Sequence, residues 1–245
     1  MTIGVIGYGR FGKFAVPHLA RRADVVVFDT RRIPKAELPR RVRRGSLAEA
    51  AGQEVVLLAV PVSALRATLR RIRPHLRRGA LIVDVAAVKS APLRWMKQML
   101  PPDAEILGTH PFFGPDSGVG GLKGLMVVLS PIRVRGRTLS RVLTELHRAG
   151  LETVFMSPVE HDRLMAETIL LTQYVGRLVH RLGLTPWPPV TRNYERLCAI
   201  VRTVRNDTPG LLADMIAYNP FGRKLMAEFR RAQRELHRDL KERSH

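Results

Sequence analysis

An open α/β fold, a mostly parallel doubly wound sheet followed by an all-helical remainder, is what this 245-residue sequence predicts. Three observations predict it. Apolar, β-branched runs recur at spacings that leave room for a helix between them. The first run leads straight into Gly7-x-Gly9-x-x-Gly12. The alternation then stops at Ser157, after which only helical spacing continues. The boundaries that follow are 1–156 for the α/β part and 157–245 for the helical part.

The elements follow in order. Thr2–Ile6 is a strand, and from Lys13 to Arg21 helical spacing places Phe14, Leu19 and Ala20 on an apolar side. Asp24–Asp29 is the second strand. Glu54–Pro61 is a buried third strand, and a helix starts at Ser63 and runs to about Arg73. Ala80–Val85 is the fourth strand and enters the loop Ala86-Ala87-Val88-Lys89. Ala104–Leu107 reads as a short strand, so His110 falls just past its carboxyl end, in Gly108-Thr109-His110-Pro111-Phe112-Phe113-Gly114-Pro115. Leu125–Ser130 is a further strand, Thr138–Arg148 a helix ending at Gly150, and Glu152–Met156 the last strand. At Ser157-Pro158-Val159-Glu160 a cap, a proline at the first helical position and a glutamate open one long helix to Leu182. Its apolar residues, among them Ile169, Leu171, Val175 and Val179, are too many for one stripe and predict burial on more than one side. Pro186-Trp187-Pro188-Pro189 is a loop, and helices resume at Arg192–Arg205, Gly210–Tyr218 and from Phe221 onward.

The glycine motif between a strand and a helix carries a specific chemistry. Gly7 permits the tight turn, Gly9 lets backbone approach a pyrophosphate, and Gly12 lets the helix pack on the strand. The free N–H groups of that helix suit phosphate. The second strand ends in an acid, Asp29, about twenty residues beyond Gly7, where a ribose-binding carboxylate belongs. Arg10, Phe11, Val60 and Pro61 complete the set of cofactor-lining candidates. Asp29 favours NAD, because it accepts from both ribose hydroxyls and repels a 2′-phosphate. Arg31, two residues on, leaves NADP open, since a guanidinium pairs with that phosphate. Ligands of open α/β sheets bind at the carboxyl edge of the strands, the edge where His110 is expected. A histidine held there by two prolines is suited to taking a proton at neutral pH.

Composition narrows the function. There are 41 Lys and Arg against 21 Asp and Glu, a net charge of +20. The basic residues are spread along the chain without interleaved aromatics, so they read as solvated surface rather than a nucleic-acid platform. A carboxylate substrate and a dinucleotide both benefit from the positive field. The single Cys198 excludes an internal disulfide framework and reads as a buried small residue. No ligand-spaced Cys/His cluster predicts a metal. No apolar run approaches a membrane span, and strand one at Thr2 leaves no room for a signal peptide, so a cytoplasmic location is expected.

Three segments together resemble the prephenate/arogenate dehydrogenase family, its plant-type arogenate enzymes especially. They are Val83-Asp84-Val85-Ala86-Ala87-Val88-Lys89, Gly108 to Gly118 around Thr109-His110-Pro111, and Met156-Ser157-Pro158-Val159-Glu160-His161-Asp162; Tyr218-Asn219-Pro220 adds to the likeness. The resemblance implies NAD(P)-dependent oxidative decarboxylation of prephenate or arogenate in tyrosine biosynthesis, and a homodimer formed through the helical domain. It makes His110 the base that takes the ring-hydroxyl proton. It points to Arg202 or Arg205 for the substrate carboxylate, and to Asp116 and Gln173 as further substrate contacts. Lys89 is read as structural, salt-bridged to Asp84 or a neighbour, with a direct catalytic role as the alternative. Ala87 and Gln173 depart from the family pattern, which carries serine and histidine there, and this opens an amino analogue of prephenate as substrate. A reductase of the same plan acting on an imine or 3-hydroxy acid, and a non-catalytic dinucleotide sensor or nucleic-acid binder, are the alternatives from other classes.

Overall fold

The computed structural model describes residues 1–183 and 190–243; the Pro186–Pro189 segment lies outside the described residues. The chain divides into two compact units, Met1–Pro158 and Val159–His245.

The first unit is built on one eight-stranded sheet. In chain order it comprises β1 (Thr2–Ile6), α1 (Arg10–Ala20), β2 (Asp24–Phe28), β3 (Val42–Arg44), α2 (Leu47–Ala51), β4 (Val55–Leu58), α3 (Val62–Ile72), β5 (Leu81–Asp84), α4 (Ser90–Met99), β6 (Glu105–Pro111), β7 (Met126–Arg133), α5 (Gly136–Arg148) and β8 (Glu152–Phe155). The strand order is β3-β2-β1-β4-β5-β6-β7-β8. All neighbours from β3 to β6 pair in parallel; β7 runs antiparallel to β6, and β8 follows β7 in parallel. The order reverses between β1 and β4, and that reversal is where an open sheet of this kind forms its ligand crevice.

Three elements went unanticipated: β3, α2 and α4. The sequence reading also ends the sixth strand too early. It continues through His110 to Pro111, because its last residues pair with β7 although β5 has already ended: Asp84 sits beside Gly108, while His110 sits beside Val128.

The parallel strands account for the core. Ile3, Val5, Val25 and Val27 pack under Val16 and Ala20 of α1, and all four residues of β5 are buried. A parallel sheet is normally covered on both faces. β4 departs from that: Val56 and Leu58 are buried, while Val55 and Leu57, on the opposite face, are only half-buried.

The second unit is helical. α6 (Pro158–Met165) passes through a π turn at Ala166–Leu170 into α7 (Leu171–Arg181), so the long helix expected from Ser157 carries one wide turn in its middle. α8 (Arg192–Asn206), α9 (Pro209–Tyr218) and α10 (Gly222–Glu242) follow. Thr191 caps α8 by accepting from the Tyr194 N–H, and Thr208 caps α9 by accepting from Leu211. α7 and α8 approach closely at Gly176, where a Cβ would lie 2.9 Å from a Val204 methyl. Among the described residues no helix is long and apolar enough to cross a membrane.

Candidate cofactor and catalytic site

The glycine loop after β1 is fixed by contact. Gly7 has φ +104°, and a Cβ there would lie 2.3 Å from the Ala59 carbonyl oxygen at the end of β4 and 3.2 Å from a Val60 methyl. A Cβ on Gly12 would lie 2.2 Å from the Gly7 carbonyl oxygen, so the start of α1 can sit this close to the turn only with glycine at both positions. Gly9 differs. The nearest atom to a Cβ there is an Arg31 guanidinium nitrogen at 3.9 Å, so its outer side faces open space. Gly9 also occupies the N-cap of α1 in extended conformation, and no side chain caps the helix. The first-turn N–H groups of Phe11 and Gly12 are placed for an external acceptor. A pyrophosphate fits this cradle.

Asp29 lies directly after β2, its side chain 10% exposed. Its Oδ2 accepts the Tyr8 N–H at 2.7 Å; its Oδ1 accepts the Arg31 N–H at 2.8 Å and Arg31 Nε at 3.3 Å. Burial alone would raise its pKa, but the two backbone hydrogen bonds and the Arg31 guanidinium outweigh it and hold the carboxyl below the ordinary aspartate value. The carboxylate is therefore charged and oriented at the end of β2, as a ribose-diol acceptor requires. The Arg31 side chain itself is mostly exposed. Val60 abuts the glycine turn, and Pro61 stands at the N-cap of α3.

His110 is buried near the end of β6, its ring edge-on to Phe112 with centroids 5.1 Å apart. The strand beneath it is latched to β5: Thr109 Oγ1 donates to the Asp84 carbonyl at 2.8 Å. The Asp84 carboxylate accepts the Ala86 N–H and pairs with Lys89, and both side chains are essentially buried. Lys89 is thus salt-bridged to Asp84 as the sequence suggests, and this pair pins the turn leading into α4. A charge pair so buried is far costlier to break than to keep. The loop after β6 is tied back to α1: Arg10 pairs with Asp116 at 2.7 Å, and Phe113 meets Phe14 edge-on at 6.1 Å. A Cβ on Gly118 would lie 2.4 Å from the Phe14 ring, so the loop can pass the helix here only as glycine. Asp116, expected among substrate contacts, faces Arg10, expected among cofactor contacts.

The first unit therefore gathers Gly7, Gly9, Gly12, Arg10, Phe11, Asp29, Arg31, Val60, Pro61, His110 and Asp116 around the carboxyl edge of its parallel strands. The second unit holds the other candidates. Gln173 is buried and donates to the Asp207 carboxylate at 2.7 Å; Arg177 donates to the carbonyls of Asp207 and Thr208 at 2.9 and 3.0 Å. This knot locks the corner between α8 and α9, and sequence spacing gave no signal for it, because Gln173 and Asp207 lie on different helices. Arg202 and Arg205 are exposed on α8, and neither makes an ion pair among the described residues. Cys198 is half-buried rather than buried.

A glycine-cradled helix start, an acid closing the second strand and a histidine that β6 carries beyond the end of β5 define an open α/β dinucleotide-binding protein. Residues 37–151 match the family described as prephenate dehydrogenase, nucleotide-binding domain, and residues 178–245 match a TYRAAT1-like, C-terminal domain. The chain is 30% identical over 256 residues to arogenate dehydrogenase 1, chloroplastic, of Arabidopsis thaliana, covering 100% of this chain and 40% of that protein. It is 29% identical over 243 residues to arogenate dehydrogenase 2, chloroplastic, of the same plant, covering 90% of this chain and 64% of that one. The chain thus spans less than two thirds of the length of these curated relatives. The crystal structure of prephenate dehydrogenase from A. aeolicus in complex with hydroxyphenyl propionate and NAD+ shares the fold, with a TM-score of 0.75 and 19% identity over 100% of this chain and 92% of that one. Residues 37–151 thus belong to the prephenate dehydrogenase nucleotide-binding family, and the chain as a whole is similar to arogenate dehydrogenases.

Proposed function

We propose that this protein is an NAD(P)-dependent dehydrogenase that oxidatively decarboxylates prephenate or arogenate in tyrosine biosynthesis. The observation that carries the reading is the placement of His110 beyond the end of β5, on the same sheet edge as the Gly9 cradle and Asp29. In this reading residues 1–156 bind the cofactor, and residues 157–245 bind substrate and form a homodimer. The first-turn N–H groups of α1 hold the pyrophosphate and Asp29 the adenosine ribose, with Phe11, Val60 and Pro61 lining the cofactor. The nicotinamide supplies the hydride acceptor when bound. His110 hydrogen-bonds the ring hydroxyl and takes its proton as the carbonyl develops, while loss of carbon dioxide and aromatisation drive the step forward. An exposed guanidinium of α8, Arg202 or Arg205, is the candidate for the substrate carboxylate, and Asp116 and Gln173 are further candidate substrate contacts. NAD is the favoured cofactor because the Asp29 carboxylate is kept charged. A cytoplasmic location fits the same reading.

The test is a direct assay. Purified protein is mixed with NAD or NADP and with prephenate, arogenate or the amino analogue of prephenate, and reduced nicotinamide is followed by absorbance. Turnover of one of these confirms the reaction class and ranks the substrates. Tight NAD binding with no turnover of any of them would overturn it in favour of a dinucleotide sensor or a reductase acting on an imine or 3-hydroxy acid.

A further inference from the structure

The face of the sheet that carries α1 and α5 is not closed. α1 covers β1 and β2, and α5 covers β5, β6 and β7. Between them β4 turns the half-buried Val55 and Leu57 outward, and a groove of about 1070 Å³ runs along the sheet. That is the upper end of the range of small-molecule clefts, roughly 300–1,000 Å³. Its open floor is Val55 and Leu57 of β4, flanked by the buried Leu81, Val83 and Leu107 under α5, and its α1 wall is Phe14, His18 and Leu19. It lies on the broad face of the sheet, whereas the cofactor cradle lies at the strand ends.

The walls differ in chemistry. α5 presents Arg137, Ser140, Arg141 and Thr144 to the groove, one helical face at spacings of three and four. The acids that line the groove are already engaged. Glu105 accepts from Arg135 and Thr138, Glu145 pairs with Arg22 and Arg148, and Glu54 lies 3.9 Å from Arg77. Arg137 and Arg141 make no ion pair among the described residues. α5 begins where β7 ends, at the amino edge of the parallel strands, and α1 finishes at that same edge. Arg137 and Arg141, on the first turns of α5, make that end of the groove cationic, while His18, whose buried Nδ1 has no hydrogen-bond partner among the described residues, lies on the last turns of α1, nearer the Arg22 contact with the end of α5. The other end, toward Phe14 and Phe113, is apolar.

The shape excludes a helix. The open floor is one strand wide, about 5 Å, against the 10–12 Å of a helix with its side chains. Arg22 also clasps α1 to α5, reaching Glu145 at 3.2 Å and the Arg148 carbonyl at 2.7 Å. What fits is slim, long and apolar, with an anion at one end. We propose that the groove is a binding site for a free long-chain carboxylate, its chain lying on Val55 and Leu57 and against Phe14 and Leu19 of α1, and its head group held by Arg137 and Arg141.

The test uses the full-length protein and dodecanoate below its micelle concentration, followed by titration calorimetry, with dodecanol as the uncharged control. Saturable uptake of one dodecanoate per chain is expected. The double variant R137Q/R141Q, changed only at exposed positions, should weaken dodecanoate about tenfold and leave dodecanol unchanged. L57W, which fills the floor, should abolish uptake of both. Absence of saturable binding, or binding that R137Q/R141Q leaves unchanged, would overturn the proposal. So would L57W converting a dimer to a monomer in sedimentation, which would make the groove a contact between two copies of the chain.

Discussion

At the scale of single residues, His110 and Asp29, to which the proposed reaction assigns the proton transfer and the ribose contact, are held in different ways. His110 owes its position to backbone pairing with β7 and to the Thr109 latch on β5, so a change of its side chain leaves the strand in place. His110→Asn should therefore keep NAD affinity within about twofold while turnover falls by about two to four orders of magnitude, the usual worth of a general base. Binding titration and steady-state kinetics check both halves, and turnover within threefold of the parent would remove His110 from the mechanism. Asp29 is held by the Tyr8 and Arg31 N–H groups, and the Arg31 guanidinium leans on it from solvent. Asp29→Ser should weaken NAD by about 1.5–3 kcal/mol, the worth of a charge-assisted hydrogen bond, and improve NADP by freeing Arg31. The specificity ratio should swing toward NADP, and Arg31→Ala should swing it the other way. A ratio unmoved in both variants would mean that neither residue reads the ribose.

At the scale of elements, a buried carboxylate joins two of them. Glu105 opens β6, and its oxygens accept the Arg135 N–H at 2.7 Å, Arg135 Nε at 2.6 Å and the Thr138 hydroxyl at 2.9 Å, so it caps the start of α5 where a negative charge is favoured. Burial would raise its pKa, but these bonds outweigh burial and hold it below the ordinary glutamate value of 4.5. A carboxyl lowered in the folded state stabilises the fold above its unfolded value, and that stability is lost as pH falls through the folded one. Unfolding stability should drop as the pH is taken below 4.5. Glu105→Gln should cost about 1.5–3 kcal/mol at neutral pH and flatten that acid slope in denaturant melts. Elements of this kind were unequally legible in the sequence. β1, β2, β4 and β5 stood out because buried parallel strands are unbroken apolar runs. β3 did not, since Val42–Arg44 is short and mostly arginine. α2 is only five residues, although its capping box, Ser46 with Glu49, was in plain view. α4 carries Pro92 near its start, which hides the helical period. The end of β6 was misjudged because the partner that prolongs it is antiparallel and later in the chain. In the site, the glycines and Asp29 were legible because local chain geometry dictates them, whereas the place of His110 inside β6 was not, because pairing with β7 sets it. The Gln173–Asp207–Arg177 knot was not, because it is made by tertiary contact alone.

At the scale of the whole molecule, the helical unit leaves apolar surface uncovered. Leu182, Leu236 and Leu240 are each more than half exposed, and Leu178 and Ile200 are partly so. Large exposed apolar side chains on this unit suit an interaction surface, which supports the proposed two-fold dimer. Light scattering should give a dimer at micromolar concentration, and L236E/L240E should shift it to monomer; a monomeric parent would contradict the proposal. The sheet raises the opposite question, how contact between copies is prevented. Its outer strand β3 pairs only with β2 and bears Arg43 and Arg44, both exposed. An edge strand offers unpaired backbone groups to any other edge it meets, and arginines there make such a meeting repulsive. In a chain of net charge +20 this guard is strong in dilute buffer and fades as the Debye length shrinks, to about 3 Å at 1 M salt. The strand too short to announce itself in the sequence is thus a guarded edge of the sheet, and added salt should weaken that guard, read as a rise in light scattering at fixed temperature.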